Sequence, residues 1–312
     1  LSNVVLQLKK GDLASVKEHY LDAIVSKPQN ALFLAKVNGT TITAYASGKV
    51  MFQGQNAQGE ANKWAKLGGG GTATASNKKK PTVNEHQFAP PSGIFTSGHI
   101  GTDEAGTGDY FGPITVSAVY VSEEKIDILK ELGITDSKAL TDDRIGVLAK
   151  ELVQAKIPYT LLTMDNAKYN RLQKKGWNQG KMKAMMHHHA IEKLVAKIGE
   201  EQPVLIDQFC QPSVYMKYIG TEGAKLRQNT FFMTKAESYS TSVAAASIIA
   251  RAKFVKEMDA LSKRFGVTIP KGASSRVDET AGYLIKKNGI DALNEAAKMH
   301  FANTDKAMKY VK

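Results

Sequence analysis

The sequence holds a single cysteine, Cys210, among 312 residues. One thiol excludes a disulfide framework and a thiolate metal cluster, and it fits a reducing compartment. Cys210 reads as a small core residue. Long apolar runs are also missing. No window approaches the about eighteen uninterrupted apolar residues of a membrane helix, and the opening LSNVVLQLKK lacks the character of a signal peptide. A soluble cytoplasmic protein is therefore expected. Acid is scarce relative to base: 30 Asp and Glu stand against 42 Lys and Arg, a net charge of +12. That balance favours a polyanionic partner over a small acidic substrate. Arginine is absent from the first 85 residues, which hold eleven Lys and five Asp or Glu, a surplus of six. Lysines act as point charges on phosphates, so this half predicts sequence-independent affinity and not base reading.

Length points to two domains. In the first, VVLQLK reads as a strand, Asp12 as a cap, and ASVKEHYLDAIVSK as a helix with Val16, Tyr20 and Ile24 on one face, closed by Pro28. ALFLAKV, TTITAYA and KVMFQG are β-rich runs separated by the turn signals Asn38-Gly39 and Ser47-Gly48, and a second helix follows from Ala57 to Leu67. The layout is β-α-β-β-β-α. With both helices on one face, the other face of the sheet is free to lie against a nucleic-acid groove. The stretch from Gly68 through TATASNKKKP is a low-complexity linker. The boundaries expected are a domain over 1–67, a linker over 68–94 and a second domain over 95–312.

The second domain is organised around GTDEAGTGDYFGP at 101–113, where Asp103 and Glu104 run into a glycine-rich turn between two strands. Side chains alternate along a strand, so these neighbours reach one site only if the chain distorts, which Gly106 and Gly108 permit. The glycines do not make a dinucleotide fingerprint, because a strand follows where that motif needs a helix. A polar hairpin turn is the plainer alternative.

Farther along, EEKIDILKELG predicts a helix with Ile126, Leu129 and Leu132 inward. Thr141 caps another with Ile145, Leu148 and Leu152 inward. Between them, the polar loop Asp136-Ser137-Lys138 offers a lysine to a phosphate. IPYTLLTM reads as a strand, followed by a basic helical region through Lys168, Arg171, Lys174, Lys175, Lys181 and Lys183, broken near Gly176 and Gly180. His187, His188 and His189 are consecutive, hence about 100° apart on a helix, and cannot converge on one ion; core and surface roles are expected. PVLIDQF reads as a buried strand ending at Asp207, and NTFFMTKA as another. ESYSTSVAAASIIARAKFVKEMDALSKRFG is a long helix with Glu237 in its entry, either as a capping acid or as a functional one. Its small residues Ala244 to Ser247 allow close packing.

Asp103, Glu104, Asp207 and Glu237 thus come from separated pieces of one domain. Clustered carboxylates repel unless cations compensate, and Mg²⁺ prefers oxygen ligands. Two such ions stabilise the attacking and leaving oxygens of a phosphodiester displacement.

DEAGTGDYFGP, the DSK at 136–138, LIDQF at 205–209 and KAES with AAASIIAR at 235–251 together resemble bacterial ribonuclease HIII over nearly the whole chain. ASGKVMFQG is similar to a strand pair of the TATA-binding protein, whose fold that family carries at its amino terminus. The resemblance implies an α/β fold, a ribonuclease H-like mixed sheet flanked by helices, preceded by a small α+β TATA-binding-protein-like domain. It implies endonucleolytic cleavage of the RNA strand of RNA-DNA hybrids, leaving 5'-phosphate and 3'-hydroxyl ends, with two Mg²⁺ or Mn²⁺ ions held by Asp103, Glu104, Asp207 and Glu237. Gly106, Thr107 and Gly108 are expected to read 2'-hydroxyls, and Lys138, Lys235 and Ser247 to meet phosphates. Type 2 relatives carry Asp where this chain has Glu237, Arg where it has Thr107 and Tyr where it has Ala273. The loss of the last two implies poor action on single embedded ribonucleotides. A monomer with no obligate protein partner is expected. The rival readings are a duplex-binding protein whose acids are structural, and a nuclease of the same metal chemistry acting on DNA.

Overall fold

The computed structural model describes residues 2–28, 31–65, 86–134 and 140–311, and the chain divides into two compact units, 1–80 with 131–133 and 81–130 with 134–312. Among the described residues no helix is long and apolar enough to cross a membrane.

The first unit is built from β1 (Ser2–Gln7), α1 (Asp12–His19), β2 (Ile24–Ser26), β3 (Ala31–Val37), β4 (Thr40–Tyr45), β5 (Lys49–Gly54) and α2 (Ala57–Asn62). Its antiparallel sheet runs β1-β5-β4-β3-β2. Val16 of α1 and Ala57 and Ala61 of α2 share one core with Phe33, Ala35, Ile42, Ala44, Val50 and Phe52. Alternation turns Thr41, Thr43 and Met51 to the opposite face, where Thr43 and Met51 are buried. The helix expected to run to Lys27 ends eight residues earlier, at His19, and Ile24 begins an edge strand paired with Ala35. Gly11, not Asp12, occupies the N-cap. The early stop has a cause in packing. Tyr20 turns inward, its hydroxyl donating to the buried Glu60 carboxylate at 2.8 Å, and Glu60 also accepts from Asn38 at 3.1 Å and Lys63 at 2.8 Å. Burial alone would raise the Glu60 pKa, but the hydrogen bonds from Lys63, Tyr20 and Asn38 outweigh it and hold the carboxyl below its usual range.

The second unit carries β6 (His99–Ala105), β7 (Ile114–Val121), α3 (Glu123–Glu131), α4 (Asp142–Gln154), β8 (Tyr159–Met164), α5 (Asn166–Lys174), α6 (Gln179–Ile198), β9 (Val204–Asp207), α7 (Pro212–Gly220), β10 (Thr230–Met233), α8 (Thr241–Phe265), α9 (Ser275–Asn288), α10 (Asp291–Ala296) and α11 (Asn303–Ala307). The mixed sheet runs β10-β9-β6-β7-β8, parallel among β10, β9 and β6 and antiparallel through β7 and β8. The Thr141 cap accepts from Arg144 N, as its sequence predicts. The basic region breaks once, between Lys174 and Gln179. Gly180 lies inside α6, because the Asn178 side chain caps that helix two residues earlier.

Two helices sandwich the sheet. α6 lies on the face lined by Ile100, Ile114, Val116, Ala118, Val204 and Ile206, burying Met182, Met186 and Ala190 there. α8 lies on the other, where the Thr115 hydroxyl donates to Ala250 O at 2.8 Å. Its approach depends on Gly101: a Cβ at that position would stand 2.2 Å from Val243 N. Ala244, Ala245 and Ala246 are fully packed in the same contact zone, as their small size predicts.

Candidate active site

Parallel pairing of β6 with β9 sets Thr102 opposite Ile206. One residue further, at the carboxyl ends of both strands, stand Asp103 and Asp207. Open α/β sheets bind ligands at this edge. Asp103 is 7% exposed, and burial, with the negative charges of Glu104 and Asp207, drives its pKa well above the carboxylate range. A hydrogen bond from the Ser247 hydroxyl of α8 and one from Glu104 N at 2.7 Å offset part of this. Asp207 Oδ1 accepts from Ala236 N at 2.9 Å. That bond ties a 3-10 turn over Ala236–Ser238 to the end of β9 and brings Glu237, itself buried, to the same edge.

Two expectations need correction. The long helix, expected from Glu237, begins at Thr241. Ser240 takes the N-cap position, accepting from Val243 N at 3.1 Å, and Glu237 precedes it in a separate turn entered through left-handed Lys235. Nor does β6 distort at the acidic pair. The ladder with β7 continues through Asp103, Glu104 and Ala105 without a register shift, since every step of it pairs backbone groups that would otherwise be lost. Asp103 therefore faces α8 and Glu104 faces α6. They share a strand end but not a face.

On the α6 face Glu104 is clasped from both sides. Its Oε1 accepts from Lys183 Nζ at 2.8 Å and its Oε2 from His187 Nε2 at 2.9 Å. An ionised carboxylate only accepts, so Nε2 carries the proton. His187 Nδ1 then meets the Thr102 hydroxyl at 2.8 Å, and Lys183 Nζ also lies 4.1 Å from the Phe209 ring centre. Burial pushes the Glu104 pKa up, but His187 and Lys183 overcome it and hold the carboxyl at about 2. The sequence reading assigned His187 only a core or surface role. The missed signal was the four-residue spacing of Lys183 and His187, which puts both on one face of a helix beside the sheet.

The turn after the acids is rigidly made. Gly106 has φ +88°, and a Cβ there would stand 2.2 Å from Pro113 O, so only glycine fits. Thr107 O accepts from Gln179 Nε2 at 3.0 Å, while Gly108 faces open space. Beyond it, the fully buried Lys298 donates to Asp109 O at 2.7 Å and Gly112 O at 2.6 Å. Ser247 is buried against Asp103, Lys235 is exposed, and Lys138 lies outside the described residues.

Among the described residues no three His, Cys, Asp or Glu side chains converge into a ready-made metal cage. The donor chemistry nevertheless suits a hard cation: carboxylate oxygens crowd this edge, burial keeps the Cys210 thiol protonated, and the His187 imidazole is committed to Glu104. Burial first, and then the charges of Glu104 and Asp207, raise the Asp103 pKa, and a divalent ion would neutralise that charge.

A family model for ribonuclease HII matches residues 100–304, and one for a domain of unknown function, DUF3378, matches residues 3–80. The ribonuclease HIII of Oceanobacillus iheyensis is 51% identical over 312 residues, covering 99% of this chain and 99% of its own. That of Bacillus mycoides is 48% identical over 100% of this chain and 99% of its own. The chain belongs to the ribonuclease HIII family. Bst-RNase HIII, solved in complex with Mn²⁺, superposes with a TM-score of 0.68 at 41% identity over 100% of this chain and 99% of its own. The family resemblance carried by the acidic and glycine-rich motifs is thus borne out, as is the α/β fold it implied.

Proposed function

We propose that the enzyme cleaves the RNA strand of RNA-DNA hybrids endonucleolytically, with Asp103, Glu104, Asp207 and Glu237 holding two Mg²⁺ or Mn²⁺ ions. The observation that carries this reading is the placement of Asp103 and Asp207 one residue past the paired Thr102 and Ile206 of two parallel strands, with the Asp103 pKa raised by burial and then by the charges of Glu104 and Asp207. The Mn²⁺ complex of the Bst relative supports a divalent ion. Such ions, when bound, lower the pKa of a coordinated water and neutralise charge on the phosphate oxygens.

The chain's own residues supply placement. Ser247 and Glu104 N orient Asp103, Ala236 N orients Asp207, and Lys183 with His187 keeps Glu104 ionised and fixed. Backbone groups of Gly106, Thr107 and Gly108 meet 2'-hydroxyls, the mark that separates RNA from DNA. Lys235 and Lys138 contact phosphates. Water adds to phosphorus, the bond to the 3'-oxygen breaks, and that oxygen leaves protonated, giving 5'-phosphate and 3'-hydroxyl ends. Residues 1–67 grip the hybrid without reading sequence, residues 68–94 link, and residues 95–312 cut. The enzyme works as a cytoplasmic monomer, and it requires several consecutive ribonucleotides because Thr107 and Ala273 replace larger contact groups.

A substrate panel tests this: hybrid, duplex DNA, duplex RNA and a duplex with one embedded ribonucleotide, each with titrated Mg²⁺ and Mn²⁺. Hybrid is cut and the others are cut poorly or not at all; cleavage of plain DNA defeats the assignment. Asp103→Asn binds hybrid but scarcely cuts it, whereas a protein that only binds duplexes would lose nothing.

A further inference from the structure

Helix α5 carries a ridge of cations that the catalytic site does not use. Lys168, Arg171, Lys174 and Lys175 are all exposed, while Asn166, Tyr169 and Asn170 on the other side of the helix are buried. None of the four makes an ion pair among the described residues. By contrast, Lys181, Lys183, Arg227 and Arg251 each sit against a carboxylate.

The ridge is not explained by helix stability. Arg171 and Lys174 in the last turn suit the helix dipole, but Lys168 stands in the first turn, where the dipole disfavours it. Positions 168 and 171, 171 and 174, and 171 and 175 are like-charge neighbours at spacings of three and four, each mildly destabilising. The surface is also concave: Arg171, Lys174 and Lys175 line a basin of about 320 Å³ with Ala167 and with Asn294 of α10, and no acid lines it.

The start of α5 and the start of α6 are tied to the turn that follows the catalytic acids. At the start of α5 Asn166 Nδ2 donates to Gly112 O at 2.9 Å. At the start of α6 Gln179 donates to Thr107 O at 3.0 Å and reaches the hydroxyl of Tyr169 in α5 at 3.3 Å. The ridge therefore leads away from the glycine-rich turn on the same unit. Nine helical residues span about 13 Å, comparable to the axial rise of about four phosphates along one strand.

We propose that the α5 ridge, with Lys168, Arg171, Lys174 and Lys175, is a second nucleic-acid contact that holds the phosphodiester backbone of the hybrid where it extends beyond the cleaved bond. It rests on the hybrid reading above, and it assigns to these side chains affinity and not chemistry.

The test measures binding of a fluorescein-labelled RNA-DNA hybrid to the full chain in EDTA across a salt series. The variant is the fourfold Lys168→Gln, Arg171→Gln, Lys174→Gln, Lys175→Gln protein. Binding weakens about tenfold or more, and the slope of log Kd against log salt becomes shallower by about 2.7 if three phosphate contacts go. In turnover with metal, KM rises while kcat stays. Single Arg171→Gln and Lys175→Gln variants, which keep the fold even if the fourfold variant does not, each reduce the slope by about 0.9, and Lys175→Arg restores it. Unchanged Kd and slope overturn the proposal. Hybrid binding kept while binding to polyglutamate is lost also overturns it, and reassigns the ridge to an acidic protein. Should the wild type bind hybrid through this ridge yet cut none, the hydrolysis reading fails and the ridge stands.

Discussion

The His187 imidazole and the Glu104 carboxylate meet at 2.9 Å across the interface of α6 with the sheet, although 83 residues separate them in the chain. His187 is fully buried and bonded at both nitrogens, with Thr102 on the far side. It cannot swing away, and so it fixes the orientation of the acid. Groups that orient ligating side chains typically contribute 10–100-fold to metal affinity or activity. His187→Phe is therefore expected to lower kcat about 10–100-fold and to move the cation requirement to higher concentration, with His187→Gln recovering part of both. Metal titration of turnover checks it. A purely structural histidine would instead give lower thermal stability with an unchanged metal midpoint.

Asp103 gives a stability prediction with a definite sign. Its pKa is raised in the folded chain by burial, Glu104 and Asp207. The unfolded chain releases this proton first, so stability falls as pH rises from the ordinary Asp value through the raised one, and the metal-free protein carries the full penalty above the raised value. Asp103→Asn removes it. The variant should melt higher than wild type without metal, by roughly 2–4 °C for each kcal/mol recovered. Adding Mg²⁺ should raise the wild-type melting temperature and move the variant much less. A variant that melts lower in EDTA and responds equally to Mg²⁺ would contradict the account.

Much of this site was legible before any coordinates because the relevant signals are local. VLID reads as a strand because a parallel strand buried on both faces is a short apolar run, and Asp207 marks where that run stops. The Thr141 cap and the small-residue face of α8 are local in the same sense. What could not be read depends on partners far away in sequence. Tyr20 fits the helical period as well as Ile24 does, and only Glu60, forty residues on, explains why the helix ends before it. The three histidines present the same difficulty: nothing in the run itself says that His187 alone faces Glu104. Alternation correctly separated Asp103 from Glu104, but the expected distortion does not occur, since the β6–β7 ladder holds its register through both.

Lys298 offers a pH test away from the acids. Burial lowers its pKa to about 7, with Asp109 opposing, and His300 and the Tyr169 ring are its other charged or aromatic neighbours. Below pH 7 both folded and unfolded chains hold the proton. Between about 7 and the ordinary lysine value near 10.4 the unfolded chain binds more protons, so stability rises with pH over that window. Denaturant titrations from pH 6 to 9 should show the rise in wild type and its loss in Lys298→Met. That variant also leaves Asp109 O short of a donor, an expected cost of about 1–3 kcal/mol for a buried carbonyl left unsatisfied, while Gly112 O keeps its bond from Asn166 Nδ2.

Gly101 tests whether close contact of α8 with β6 aligns the site. A Cβ there would lie 2.2 Å from Val243 N and 2.7 Å from Val243 Cα, both backbone atoms that no rotamer change can move. Gly101→Ala must push the start of α8 from the strand, and overpacking of this kind costs about 1–3 kcal/mol or more. The displaced helix carries Ser247, which bonds Asp103, and its entry turn carries Glu237. Misplacement by about 1 Å can cost on the order of 10²-fold in rate, so kcat should fall far more than the melting temperature alone explains. Hybrid binding in EDTA, which does not depend on the alignment of the acids, should stay close to wild type. Full kcat in a folded Gly101→Ala protein would show that the acids tolerate a looser helix.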